Sequence, residues 1–366
     1  MPRILFVSNT ANFSKFNRPF MRWFKGQGWQ VDYVSAGEEP VLDCDNQYTI
    51  SIGRNPYTFR NFKAYKELKY IIKNGYDIIH CHTPMGGFLG RLAVKNTKVK
   101  AKIIYTAHGF HFYKGAPLLN WFIYYPIEKY LAKYTHILIT INEEDYSIAK
   151  KEFTSCKNIY KIDGVGVDLD KFKSYNNKKQ LRKDFGINET DFIILYIAEF
   201  TTRKNHKLLI NSLEKLKEKI KTLKIIFVGT GTLLEKYKNK IKVAGLSETV
   251  LFLGYRNDTE KICNIADVAV SPSKQEGLPI GIVECLASGL PVVCSRIRGH
   301  IDVIKHGRNG LLFYVNNTQQ MVNSIIELYT NNDLKYIIKE NNLIDRKRYS
   351  LDIANDKMAK IYKQCM

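Results

Sequence analysis

The stretch VAVSPSKQEGLPIGIVECLASGLPVVCS (Val268 to Ser295) sets the fold class. It reads as strand, loop, helix, strand: an apolar run VAVSPS (268–273), a turn around Gly277 and Pro279, an apolar helix to about Ser288, then PVVCS (291–295). Pro279 falls near the first helical position, where its missing N–H is harmless, and Gly289 is a natural residue just past the helix end. Apolar runs joined in this way are buried parallel strands, covered by helices on both faces. Two glutamates, Glu276 and Glu284, interrupt an otherwise small and apolar stretch. A carboxylate is costly to bury unpaired, so both are candidates for function. Glu276 is expected in the loop at the helix N-terminus, where free amides and the dipole favour negative charge. Glu284 is expected about two turns into the helix, near Ile280, Val283 and Ala287.

The same alternation fills the rest of the chain. In the first half the strand candidates are 3–8, 29–35, 76–82, 102–108 and 136–142; in the second they are 191–200, 223–229, 250–254, 268–273 and 291–295. The pattern implies two doubly wound α/β units in tandem. A glycine-rich turn, IDGVGVDLDKF (162–172), followed by the lysine-rich KSYNNKKQ (173–180), marks the junction. The expected domains are 1–165 and 166–345, with a charged C-terminal helix over 346–366 that can pack on either one.

With 366 residues, 45% of them apolar and 12% aromatic, the chain has enough core for both domains. A net charge of +21 implies an anionic partner: nucleic acid, an acidic membrane leaflet or a phosphorylated small molecule. The seven cysteines are odd in number and form no CxxC pair, which favours free thiols in a reducing compartment. The opening MPRILFVSNT reads as a first strand rather than a signal peptide, and no run is long enough to span a bilayer. A cytoplasmic protein, touching the inner face of the membrane without crossing it, is the expectation.

In open α/β sheets ligands bind beyond the carboxyl ends of the strands, so the crevice between the two domains is the expected site. Arg203 and Lys204, in AEFTTRKNHKLLI (198–210), lie at a strand-to-helix turn where fixed positive charge suits a diphosphate. VGTGTLLEKY (228–237) is a glycine turn opening a helix, a weak signal alone because the third glycine of the dinucleotide fingerprint is missing. In YTAHGFHFYKG (105–115) His108 stands at a strand end, with His111 three residues on.

With these residues in view, the sequence resembles a family. Glu276 and Glu284, eight positions apart in SPSKQEGLPIGIVECLASGLPVV, are similar to the donor-site motif of the family 4 retaining glycosyltransferases of GT-B fold. The resemblance covers nearly the whole chain. It implies two Rossmann-like domains facing a central cleft, the second binding a nucleotide-sugar, most often a UDP-sugar. It assigns the ribose hydroxyls to Glu284, the transferred sugar to Glu276 and the phosphates to Lys204 and Arg203. Vicinal hydroxyls offer two donors to one carboxylate, which suits a buried glutamate. Gly229 and Gly231 would border the nucleotide, Arg256 the base, and Gly277 and Leu278 the donor loop. His108 would orient donor and phosphate. His111, His82, Gly86 and Gly87 would lie on the acceptor side. The family carries arginine where this chain has Glu199, so that either Arg203 replaces it or the phosphate contact is weaker. The resemblance also implies transfer without metal or cofactor, and with the +21 charge it suggests a lipid-diphosphate-linked glycan acceptor in capsule or exopolysaccharide assembly.

Three other readings attach to particular residues. HCHTPMGG (80–87) raises a metal set of His80, His82, Cys81 and His108, against which stands the need for three ligands and an orienting second shell. The acidic triplets Asp43-Cys44-Asp45 and Asp168-Leu169-Asp170 fall in a loop and at the junction, away from any expected active-site strand. The segments 12–29, 60–75 and 116–134 mix aromatics with lysine and arginine, as core-facing helices do and as a surface docking on anionic lipid does. Two rival functions remain: a nucleotide-sugar epimerase or phosphorylase of the same fold, and nucleic-acid binding, which the scatter of the cations through both halves disfavours.

Overall fold

The computed structural model describes residues 1–97, 99–173 and 177–366, so part of the lysine-rich junction expected at 173–180 lies outside the described residues. The chain divides into two compact units, one formed by Met1–Val165 with Asp352–Met366, the other by Gly166–Leu351.

The first unit is built on a parallel sheet of seven strands: β1 (Arg3–Thr10), β2 (Gln30–Ala36), β3 (Asn46–Thr49), β4 (Ile78–His82), β5 (Lys102–Ala107), β6 (Ile137–Thr140) and β7 (Asn158–Lys161). Their spatial order is β3-β2-β1-β4-β5-β6-β7. The central strand β1 pairs in parallel on both sides, Ile4 facing Val31 of β2 and Ile78 of β4. Its residues Ile4 to Val7 are wholly buried, as the continuous apolar run requires. Along β4 the side chains alternate: Ile79 and Cys81 enter the core under the helices Arg60–Ile72 and Pro84–Lys95. His80 and His82 take the other face.

The second unit repeats the plan with six parallel strands: β8 (Phe192–Ile197), β9 (Leu223–Val228), β10 (Val250–Phe252), β11 (Val268–Ser271), β12 (Val292–Ser295) and β13 (Leu311–Phe313). Their order is β10-β9-β8-β11-β12-β13. In each unit the strand order reverses beside the first strand, which places a switch-point crevice at the ends of β1 and β4, and of β8 and β11. All seven cysteines are free thiols.

The helix Leu351–Tyr362 belongs to the first unit. Tyr362 is fully buried there against Phe20, Trp23 and Phe24, and its hydroxyl shares a 2.9 Å hydrogen bond with Nδ1 of His80. Lys357 pairs with Asp163 at 2.8 Å.

The basic-aromatic segment 12–29 forms a 3₁₀ turn, Ala11–Phe16, and the helix Arg18–Gly26, whose Phe20, Met21 and Phe24 are buried. Its cations are answered within the unit. Arg18 and Arg22 pair with Asp43 at 2.8 and 3.1 Å, and Lys25 with Asp45 at 2.7 Å. The acidic triplet at 43–45 is thus the counter-charge of this helix.

Candidate functional site

The loop opened by Glu276 lies between β11 and the helix Ile280–Ala287, whose first residue follows Pro279. Glu276 is buried, with 4% of its surface exposed. Its carboxylate meets Nζ of Lys204 at 2.5 Å through Oε1, and Nη1 of Arg203 at 3.4 Å through Oε2. Both cations come from the loop after β8, where Thr202–Lys204 makes a single 3₁₀ turn. That turn is tied down from two sides. The Tyr196 hydroxyl donates to the Lys204 carbonyl at 2.6 Å, and Asn205, in the left-handed region at φ +55°, donates through Nδ2 to the Pro272 carbonyl at 3.1 Å. The Lys274 amide donates to the Arg203 carbonyl at 2.9 Å, closing the two loops on each other. Burial would push the Glu276 carboxyl up, but Lys204, His300 and Arg203 outweigh it and hold the group below the usual carboxylate range.

The remaining support comes from a segment that no sequence motif singles out, Arg298-Gly299-His300. Nε of the buried Arg298 donates to the Glu276 carbonyl at 3.2 Å. Gly299 has φ +81°, and a Cβ on it would stand 2.6 Å from the Gly277 carbonyl oxygen and 3.2 Å from Cβ of Glu276. His300 is fully buried between strand ends, Nδ1 at 2.8 Å from the Ser295 carbonyl and Nε2 at 3.2 Å from Oγ of Ser271. Burial lowers its pKa to about 4, so it is neutral at pH 7. The available signal for it is the one that marks His108: a glycine and a histidine close after a strand end.

Glu284 is the fifth residue of its helix, one turn in rather than the expected two, and is half-buried. Gly277 and Leu278 complete the loop, Leu278 packing partly on the core below. Gly229 and Gly231 have a reason of their own. At φ +142° and +147° they pass so close to residues 198–200 that a Cβ would stand 2.1 Å from the Ala198 carbonyl and 2.7 Å from the Phe200 backbone. Their chain approaches the β8 loop itself. Arg256 is engaged locally, with Nε and Nη2 donating to the Asp258 carboxylate at 2.8 and 2.6 Å. Glu199 is exposed, and Arg203, four residues on, joins Lys204 at Glu276.

In the first unit His82 and His108 come together at the ends of β4 and β5. Nδ1 of His82 lies 3.2 Å from Nε2 of His108, and the Phe13 ring meets His108 edge-on at 4.9 Å. Burial lowers the His108 pKa to about 4 and holds that of His82 well below its usual value, so both are neutral at pH 7. His82 is buried, not a surface lining. Gly86 and Gly87 are also interior: a Cβ on Gly86 would stand 3.2 Å from the Val7 carbonyl, and one on Gly87 2.3 Å from the Tyr105 ring. Those two expected acceptor-side glycines are packing residues. His111 stacks on Tyr124 at 4.5 Å and lines a cavity of about 70 Å³ with Pro56, Met85 and Ile127.

The metal set suggested by HCHTPMGG does not assemble, because Cys81 points to the opposite face of β4 from His80 and His82. Among the described residues no group of three or more His, Cys, Asp or Glu is placed to hold a metal ion, and no helix is long and apolar enough to cross a membrane.

Comparison with known proteins matches this architecture. Residues 177–347 fit the family model "Glycosyl transferases group 1", and residues 3–142 fit "Glycosyl transferase 4-like". The chain is 37% identical over 369 residues to EpsD of Bacillus subtilis (strain 168), whose glycosyltransferase activity is itself only assigned; the match covers 100% of this chain and 97% of EpsD. It is 30% identical, over 75% of its length and 73% of the relative's, to an Escherichia coli UDP-Gal:alpha-D-GlcNAc-diphosphoundecaprenol alpha-1,3-galactosyltransferase. Among solved structures, Anabaena Alr3699/HepE in complex with UDP-glucose superposes with a TM-score of 0.79 at 17% identity, covering 100% of both chains. Sucrose-phosphate synthase from Thermosynechococcus elongatus gives 0.82 at 16%, covering 100% of this chain and 99% of that one. At such identities these likenesses speak for the fold alone. Two Rossmann-like parallel sheets, the paired glutamates and these relatives make the chain a member of the family 4 glycosyltransferases of GT-B fold.

Proposed function

We propose that the protein moves a sugar from a UDP-sugar, with retention, to a hydroxyl of a glycan carried on a lipid diphosphate. It does so in surface polysaccharide assembly of the capsule or exopolysaccharide type, on the cytoplasmic side of an anionic membrane, and without a metal. The observation that carries this reading is the cluster of Glu276 with Lys204 and Arg203. Two cations held at the end of β8 by backbone contacts are available to a diphosphate, and a carboxylate beside them is available to sugar hydroxyls. Donor binding is an exchange of partners: phosphate oxygens take the cations, and sugar hydroxyls take Glu276. Glu284 holds the ribose hydroxyls, while Gly229, Gly231, Arg256, Gly277 and Leu278 border the donor.

His108 acts as a neutral hydrogen-bonding group, because its depressed pKa leaves it without a proton to give up as a cation at pH 7. The leaving diphosphate is neutralised by Lys204 and Arg203. Transfer to the same face of the sugar needs no enzyme nucleophile. The donor and the lipid-diphosphate acceptor are supported by what the E. coli relative's name states of that protein, and UDP by the ligand of the Anabaena structure. The test is UDP release from a panel of UDP-sugars, with and without a lipid-diphosphate-linked glycan. Release that requires the glycan supports transfer; equal turnover without it supports an epimerase or phosphorylase instead.

A further inference from the structure

The first unit carries large apolar side chains where water should be, and most of them gather in two short segments, with Leu42 and Tyr70 standing apart. In the segment 57–62 Phe59 is 96% exposed and Tyr57 72%, with Phe62 beside them at the start of the helix Arg60–Ile72. In the helix Leu118–Leu131, Phe122 is 77% exposed and Leu118 75%, with Leu119 between them. Single exposed apolar residues mean little, but a cluster of this size on a soluble surface marks something that covers it. The two ridges are neighbours, since Pro56, directly before one, and Tyr124 and Ile127 of the other line the same small cavity.

We infer that this double ridge is the face on which the first unit meets an anionic lipid bilayer, with its apolar tips entering the acyl region. The inference rests on the membrane reading above and names the surface it left open. Charge chooses the occupant. Arg54, Arg60, Lys63 and Lys66 flank the first ridge, and Lys114, Lys129 and Lys133 flank the second. The acids nearby are fewer and engaged: Glu128 turns inward to the buried Arg91 at 2.8 Å, Glu67 accepts the Ser51 amide at 2.8 Å and stands 3.7 Å from Lys63, and Glu152 pairs with Lys129 at 3.4 Å, so the cations of the two ridges remain in excess. Lysine ammoniums lie along aromatic rings, Lys66 at 4.5 Å over Phe62 and Lys129 at 5.3 Å over Tyr125. Side chains so arranged carry an apolar stem into the interface and leave the charge among headgroups. The helix Arg18–Gly26 lacks this character, because Phe20 and Phe24 are buried, Trp23 is half-buried against Tyr362, and Asp43 and Asp45 take its cations.

The experiment uses the full chain with vesicles of phosphatidylglycerol and phosphatidylcholine. Phe122→Trp should gain fluorescence that brominated acyl chains quench, beyond any quenching of the parent protein. The double variant Phe59→Ser/Phe122→Ser should partition about tenfold more weakly or worse, the size expected from losing two partly buried rings. It should also lose the share of wild-type binding that survives high salt, while UDP binding and melting temperature stay as in the parent. Vesicle binding with no quenching and no loss in the double variant would overturn the inference and move the contact to another face. Failure of the wild type to bind any anionic vesicle would overturn the membrane reading itself. A lipid-free dimer that the double variant abolishes, seen by sedimentation equilibrium, would make the ridge a contact between two copies and overturn the lipid assignment.

Discussion

The two units end their central strands in polar clusters of opposite character, with a buried histidine in each. In the second, an ionised carboxylate is buried between two cations, with neutral His300 at its back. In the first, two imidazoles share a hydrogen bond beside an aromatic ring, and both are uncharged. One pocket is prepared for an anion, since its cations are already gathered and only the partner changes. The other is prepared to stay neutral. Equivalent positions in a repeated fold thus take different electrostatics from the loops that leave their strands.

The contrast is most exposed to test at Lys204. Lys204→Ala leaves Glu276 buried with only its longer contact to Arg203, and losing one partner of such a pair costs about 3–5 kcal/mol. The variant should unfold at clearly lower urea, and calorimetry should show weakened UDP binding; unchanged UDP affinity would remove the phosphate role. Glu276→Ala should bind UDP almost normally and lose kcat by about a hundredfold or more, the scale of a lost transition-state contact. Glu284→Ala should instead raise the Kd for UDP. Full activity in either glutamate variant would end the assignment.

Acid should damage both pockets through their histidines. The pKa of His300 falls from the ordinary 6.5 to about 4 on folding, and that of His108 does the same. Between those values the unfolded chain binds more protons than the folded one, so stability is full above about 6.5 and falls as pH drops towards 4. From pH 7 to pH 5 the wholly buried His300 alone accounts for roughly 2 kcal/mol. Urea unfolding at the two pH values measures it, and a flat profile would mean that the folded imidazoles take up protons as readily as the unfolded ones.

The smallest effect should come from Asp43→Asn. The pairs it removes are partly exposed, so stability should change by less than about 1 kcal/mol. Binding to anionic vesicles should strengthen slightly as Arg18 and Arg22 are released.

Burial governs how much of this architecture is legible in the sequence. The ten strands that the sequence reveals are the apolar ones that lie within the sheets, together with β10 at one edge. The three it hides, β3, β7 and β13, are short edge strands of three or four residues, and the first two are polar, NQYT and NIYK. Edge strands need only one paired side and leave little apolar trace. In the donor loop, Glu276, Arg203 and Lys204 are found through chemistry, because a carboxylate and cations stand out against apolar neighbours. Arg298 and His300 are not, because their importance is a matter of which groups they touch across 22 residues of sequence or more, the Glu276 carbonyl for one and the Ser271 hydroxyl for the other. Gly86, Gly87, Gly229 and Gly231 show a cause the sequence hides: each stands where a Cβ would strike the chain's own backbone or side chains, whatever else it borders.

The helix Leu351–Tyr362, which rejoins the first unit, bears on how the chain is synthesised. A ribosome delivers residues 1–165 first, yet the surface formed by Phe20, Trp23, Phe24 and His80 is covered only when Tyr362 emerges. The amino-terminal half must therefore wait, with an aromatic flank uncovered, while the whole of the second unit is translated. A stop codon a few dozen bases early would leave it waiting for good.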